Sequence, residues 1–203
     1  MATYAFVNID LPEAADLADY TSISADLSSA LEFARFLLEE RSKEEPDWQL
    51  AEPLMIAMIV KYARPFVSGV RRRLGEDALL TLTPEQRDKH NRFYAIRDKY
   101  IAHSVNKFEE NQPVARYWRE RVQDEGISSV DCIHHRVAGL SERELHDIIE
   151  LATALIEYVD NQLKTEKKKM LEIVRRMPVS EVLAGERRAL NLDTSDPLRR
   201  RPR

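Results

Sequence analysis

A single cysteine, Cys132, stands among 203 residues. No internal disulfide can form and no cysteine cluster can hold zinc, a usage that fits a reducing, cytoplasmic setting. Glycine is scarce too, with 5 residues beside 9 prolines, which argues against a Gly-rich sandwich of short strands and against a low-complexity chain. Long apolar runs are missing: Leu54 to Ala63 is broken by Lys61 and stops at Arg64-Pro65, too short and too charged to span a bilayer. No membrane association is expected. The first twenty residues carry Asp10, Glu13, Asp16 and Asp19 and neither a basic start nor an apolar core, so an ordinary signal peptide is not expected either.

Hydrophobic residues make up 43% of the chain and charged residues 33%, a balance suited to amphipathic helices around one core. The net charge is −4, which argues against coating nucleic acid by bulk charge. That total hides a gradient. Residues 1–60 hold 3 Lys+Arg against 12 Asp+Glu, residues 61–121 hold 14 against 8, and residues 122–203 hold 14 against 15. A basic middle third can offer phosphates a local surface, or can simply solvate helix faces.

Periodicity predicts four main helices. From about Ser24 to Lys43, Leu27, Leu31, Ala34, Leu37 and Leu38 recur at helical spacing. After the break Glu44-Glu45-Pro46-Asp47, Pro53 suits the first turn of a second helix. Its Leu54 to Val60 stretch is apolar nearly all round, as in a bundle centre or a dimer face. Pro65 should kink or end it, and Arg71-Arg72-Arg73 is placed to complement a helix dipole. The third helix starts at Thr83 with Pro84 at its first position and Gln86 closing a capping box. Phe93, Ile96, Tyr100 and Ile101 form its apolar stripe, and Arg97 lies on that stripe, where a guanidinium needs a partner or a shared cavity.

A small β-ornament is expected between the third and fourth helices, at about 105–138. Residues 104–125 suit a short helix or a strand, and Gly126 to Gly139 alternates Ile127, Ile133 and Val137 with polar neighbours as a strand does. Ser141 and Glu144 form the capping box of the last helix, which runs to about Arg176, roughly 50 Å and longer than a compact bundle needs. Residues 1–20 read as an N-terminal arm with a possible strand at Tyr4 to Val7. Residues 21–176 read as the bundle with its insert, and 177–203 as a flexible tail.

The octet Arg97-Asp98-Lys99-Tyr100-Ile101-Ala102-His103-Ser104 carries a resemblance. An Arg followed by a polar residue, a spacer and a His, near the end of a third helix, resembles the motif of the HEPN superfamily. The resemblance covers the order of four helices and is sharp across the octet alone. It implies an all-α, HEPN-like four-helix up-and-down bundle, a homodimer, and a composite cleft holding Arg97, Asp98 and His103 from both protomers. It also implies RNA as substrate, cut without metal or cofactor, and a toxin or antiphage role with an antitoxin or defence partner. Helix geometry agrees that one straight helix cannot unite the pair: His103 lies six residues past Arg97, about 120° round and roughly 9 Å along.

Those residue types suit attack by a ribose 2′-hydroxyl on the adjacent phosphorus. Imidazole accepts or donates a proton near neutrality. Guanidinium stays charged and presents a fork to phosphate oxygens. Asp98 would orient a basic partner. Lys99, Arg64, Arg92 and Lys107 are candidate phosphate contacts. The plainer alternatives are a helix-capping role for His103, a structural network for Arg97 and Asp98, and a non-catalytic HEPN module that binds RNA, nucleotide or a protein. Other constellations are weaker. His134 and His135 would point to opposite faces of a strand, and Glu142 with His146 lacks the second set of a di-iron bundle. No phosphate-binding glycine loop or nucleophile elbow occurs. The Tyr that follows the His by two residues in some antitoxin-modified HEPN toxins is absent here.

Overall fold

The computed structural model describes residues 6–69, 71–101, 109–121, 123, 126–136 and 139–184, with the backbone alone at Trp48, Tyr100 and residues 109, 110 and 134–136. The elements in order are α1 (Ala15–Arg41), α2 (Trp48–Ala63), α3 (Glu76–Leu79), α4 (Pro84–Ile96), β1 (Glu109–Tyr117), β2 (Ile127–Arg136), α5 (Glu142–Arg176) and α6 (Val179–Leu183). The molecule is mainly helical, with one two-stranded sheet and a long helix near its C-terminal end, as the patterning predicts.

Helix α1 starts nine residues before the expected Ser24, within the segment read as an arm. A 3₁₀ turn, Pro12–Ala14, leads into it, and its buried positions Tyr20, Ile23, Leu27, Ala30, Ala34 and Leu37 alternate three and four apart without a break. Tyr20 and Ile23 thus extend the same stripe towards the N-terminus. Phe6 and Val7 lie in no strand, while Tyr4 and Ala5 fall outside the described residues.

In α2 the Asp47 carboxylate caps the first turn, accepting from the Gln49 N–H at 3.0 Å. Pro53 therefore lies inside the helix rather than in its opening turn, because the cap sits earlier than the proline suggests. The helix ends at Ala63 and Pro65 occupies a 3₁₀ turn, Arg64–Phe66, as expected. The arginine triplet does not close a helix end. Arg71 reaches Asp26 at 2.8 Å and Arg72 reaches Asp16 at 2.8 Å, both on α1, so specific carboxylates outcompete a diffuse dipole.

Helices α4 and α5 begin at the capping boxes anticipated at Thr83/Gln86 and Ser141/Glu144. The two run antiparallel, since Gln86 bonds Glu150 at 2.8 Å while Arg92, farther along α4, pairs with Glu144, nearer the start of α5. The core collects Leu27, Met58, Ile59, Phe93, Leu151 and Leu155 from all four long helices. Towards its far end α5 is mostly exposed, but Met170 is buried there and the turn preceding α1 packs against this helix. The early start of α1 supplies that cover.

Several helix ends converge at one end of the bundle. The Arg41 guanidinium on α1 donates to the Leu140 carbonyl, and the Asp47 N–H donates to Glu40 Oε1 at 2.9 Å. The end of α1, the start of α2 and the start of α5 therefore meet there, and α4 runs towards the same end. The β-hairpin leaves the bundle on the chain between α4 and α5. It pairs Glu109 with Arg136 through Arg116 with Ser129, then shifts at Arg116/Tyr117 so that Tyr117 faces Ile127. Gly126, at φ 63°, enters β2 through the left-handed region that glycine occupies without strain.

Candidate functional site

Helix α4 does not simply stop at Ile96. Its last turn widens into a π-turn, Arg97–Ile101, which packs against α2. Phe93 and Ile96 are buried just before it, and Ile101 packs against the core just after. These apolar anchors hold the turn in place while its polar residues face outward. π-turns are rare and concentrate at functional sites. The Arg97 N–H still reaches the Phe93 carbonyl at α-helical spacing, and the Tyr94 carbonyl as well, so the winding widens beyond the arginine's own N–H.

The Arg97 side chain is 29% exposed, and its Nη1 lies 3.5 Å from Asp98 Oδ1. At that distance the contact is a weak ion pair rather than a charge-assisted hydrogen bond. Among the described residues, Asp98 is the one ion-pair partner of Arg97. That guanidinium carries five donors, on a side chain that solvent reaches. Lys99 follows on the exposed side of the turn. His103 and Lys107 lie outside the described residues.

Arg92 and Arg64 have carboxylate partners on other elements, and both side chains stay exposed. Arg92 stands five residues before Arg97, about 140° round the helix, and pairs with Glu144 as a brace between α4 and α5. Arg64 sits at the end of α2, 3.5 Å from Asp26. Arg97, Asp98 and Lys99 therefore share one turn, and Arg92 and Arg64 belong to two other charge clusters.

The pairings in both clusters join distant segments, so the sequence does not show which partner each charge takes. Asp26 is buried within α1, and Lys61 at 2.9 Å, Arg71 at 2.8 Å and Arg64 at 3.5 Å converge on it. Burial alone pushes its carboxyl up, but hydrogen bonds from Lys61 and Arg71 and the Arg64 charge bring it below the ordinary range. The second cluster centres on Lys89, 3.0 Å from both Asp147 and Glu150 and 3.3 Å from Glu85. Hydrogen bonds to Asp147 and Glu150 hold its ammonium above the usual lysine range. A cleft of about 520 Å³ opens beside it between α4 and α5. Lys89 and Arg92 in its wall are paired with carboxylates, and Asp88 and Arg143 also line it. The 85, 88, 89 and 92 positions of α4 share a charged face, which is the signal that could have located it.

His90 is the third feature that sequence patterning passed over. It is buried, its Nδ1 and the Tyr62 hydroxyl share a hydrogen bond at 2.9 Å, and the Phe66 ring stands 4.5 Å away. Burial pushes the imidazole down to about 4 and pushes the Tyr62 phenol up. It is a neutral core histidine, with no exposed ring nitrogen offered to a substrate. Among the described residues, no three His, Cys, Asp or Glu side chains are grouped to hold a metal ion. No described helix is long and apolar enough to cross a membrane.

Compared with protein-family models, curated proteins and solved structures, the chain matches none.

Proposed function

We propose that the chain is an endoribonuclease of the HEPN type, acting as a homodimer without a metal ion and serving as a toxin or antiphage effector. The observation that carries this reading is Arg97: a half-buried guanidinium, on a π-turn, whose one described ion-pair partner is its own neighbour at 3.5 Å. A structural arginine is normally satisfied by short bonds to other elements, as Arg71 is by Asp26 at 2.8 Å. Arg97 is set out for an anion that approaches from outside.

In this reading the 2′-hydroxyl of the substrate ribose attacks the adjacent phosphorus. The new bond runs from 2′-oxygen to phosphorus, and the bond from phosphorus to the 5′-oxygen of the next nucleotide breaks. His103 of one protomer takes the 2′-hydroxyl proton and its twin returns a proton to the leaving 5′-oxygen. Arg97 binds the non-bridging oxygens as charge builds on them. Asp98 holds the guanidinium fork in register. The products are a 2′,3′-cyclic phosphate and a 5′-hydroxyl.

A dimer is supported by α2, the neighbour of the π-turn. Its outward residues Leu50, Pro53, Ala57 and Val60 form an uncharged stripe, with Leu50 and Val60 at 40% and 37% exposure. Purified protein incubated with single-stranded RNA in EDTA should cut it, and Arg97→Ala and His103→Ala should each lower the rate at least a hundredfold while leaving the thermal midpoint nearly unchanged. Intact RNA that is nevertheless retained by the wild-type protein would replace the nuclease with a binding module.

A further inference from the structure

One side of the outer half of the β-hairpin carries an uncharged, exposed patch. Residues paired across the ladder share a face, so Pro113 with Cys132, Ala115 with Val130, and Tyr117 with Ile127 line one side. None of these six carries a charge, and all six are exposed, Val130 to 78%. The opposite side holds Gln112, Ser129 and the Arg116–Asp131 ion pair at 3.0 Å, together with Val114 and Ile133. A two-stranded ribbon in water is marginally stable unless its apolar side is covered.

What covers it can be argued from charge and area. A nucleic acid would meet cations on the docking side, whereas Arg116 lies on the other side and is already paired with Asp131. Proline is tolerated in a strand where its missing N–H points outward, so Pro113 blunts the β1 edge and favours docking by the face. The chain itself holds a second uncharged apolar surface at the same end of the bundle, the α2 stripe of Leu50, Pro53, Ala57 and Val60. Each surface is open in the single chain.

We infer that the hairpin of one protomer lies with its Pro113–Val130–Tyr117 face on the α2 stripe of a second copy, reciprocally across the twofold. This rests on the proposed dimer and names the element that clasps it. Area separates the clasp from its nearest rival. Two hairpins meeting face to face would bury roughly 600–800 Å² in total, the scale of chance contacts. Two hairpin-on-helix contacts bury roughly 1,200 Å², the lower bound of a specific interface. The six hairpin residues and the four α2 residues carry no charge of their own, and Arg64, one turn past Val60 and exposed, lies at the margin of the contact.

Cys132 is the sole cysteine and lies on the docking face, which makes the test direct. Leu50→Cys and, separately, Ala57→Cys protein is treated with a short bismaleimide, and the products are resolved on denaturing gels and by peptide mass. Solution mass is measured by light scattering on the same samples. The expected product is a covalent dimer joining Cys132 of one chain to the introduced thiol of the other, absent from wild type and from Leu80→Cys, whose site is exposed elsewhere on the fold. Wild-type cross-linking through two Cys132 thiols, or a link within one chain, overturns the clasp. So does a dimer by scattering in which neither variant cross-links; in that case the dimeric nuclease stands without it. A monomer at micromolar concentration removes both.

Discussion

Asp26 shows how a single side chain can organise a fold's charge. One buried carboxylate gathers Lys61, Arg64 and Arg71 from α2 and the segment after it, so it ties α1 to a loop that has little apolar content of its own. Asp26→Ala should cost about 2 kcal/mol in urea unfolding. The loss stays moderate because Arg64 and Lys61 already touch water and can turn outward. His90 acts through protonation instead. Its folded value of about 4 lies below the ordinary 6.5, so between those pH values the unfolded chain binds a proton that the folded chain refuses. Stability is therefore full above about pH 6.5, falls as pH drops towards 4, and levels off below, by on the order of 3 kcal/mol at most. Urea midpoints measured from pH 7.5 to 4.5 should fall less steeply for His90→Phe than for wild type. Equal slopes would show that His90 is not buried as a neutral base.

At the scale of elements, legibility tracked how local the signal was. Capping boxes depend on residues three apart, and both starts, Thr83 and Ser141, were readable to the residue. Replacing either cap by alanine should cost about 1 kcal/mol, read as a fall in thermal midpoint. The strand Ile127–Arg136 was also legible, because Ile127, Val130 and Ile133 are β-branched and Gly126 and Gly139 bound the segment. The start of α1 was not. Asp10, Glu13, Asp16 and Asp19 suggest a solvated arm, and only packing against α5, with Met170 buried, draws that segment into the helix. The π-turn at Arg97–Ile101 was equally hidden, since no composition rule marks one extra residue in a turn. The hairpin's open face makes its own forecast: Val130→Lys should leave the monomer's stability unchanged and raise the dimer dissociation constant at least tenfold, by light scattering across a dilution series.

For the whole molecule, the candidate site was legible as a linear motif and only partly as a place. Arg97, Asp98 and Lys99 do share one turn, yet Arg92 and Arg64, grouped with them by charge and chain position, answer to Glu144 and Asp26. Ion pairs between distant segments decide towards which element each cation is drawn, and a sequence does not display them. The availability of Arg97 is what turns a helical bundle with a clasping hairpin into a proposed nuclease.

The most direct measurement offers the purified protein, in EDTA, two oligonucleotides of one sequence, one of RNA and one with every 2′-hydroxyl methylated. The account predicts that the RNA is cut to fragments ending in 2′,3′-cyclic phosphate, that the methylated strand survives, and that Arg97→Ala cuts neither. Cleavage of the methylated strand, or undiminished cutting by Arg97→Ala, would contradict it.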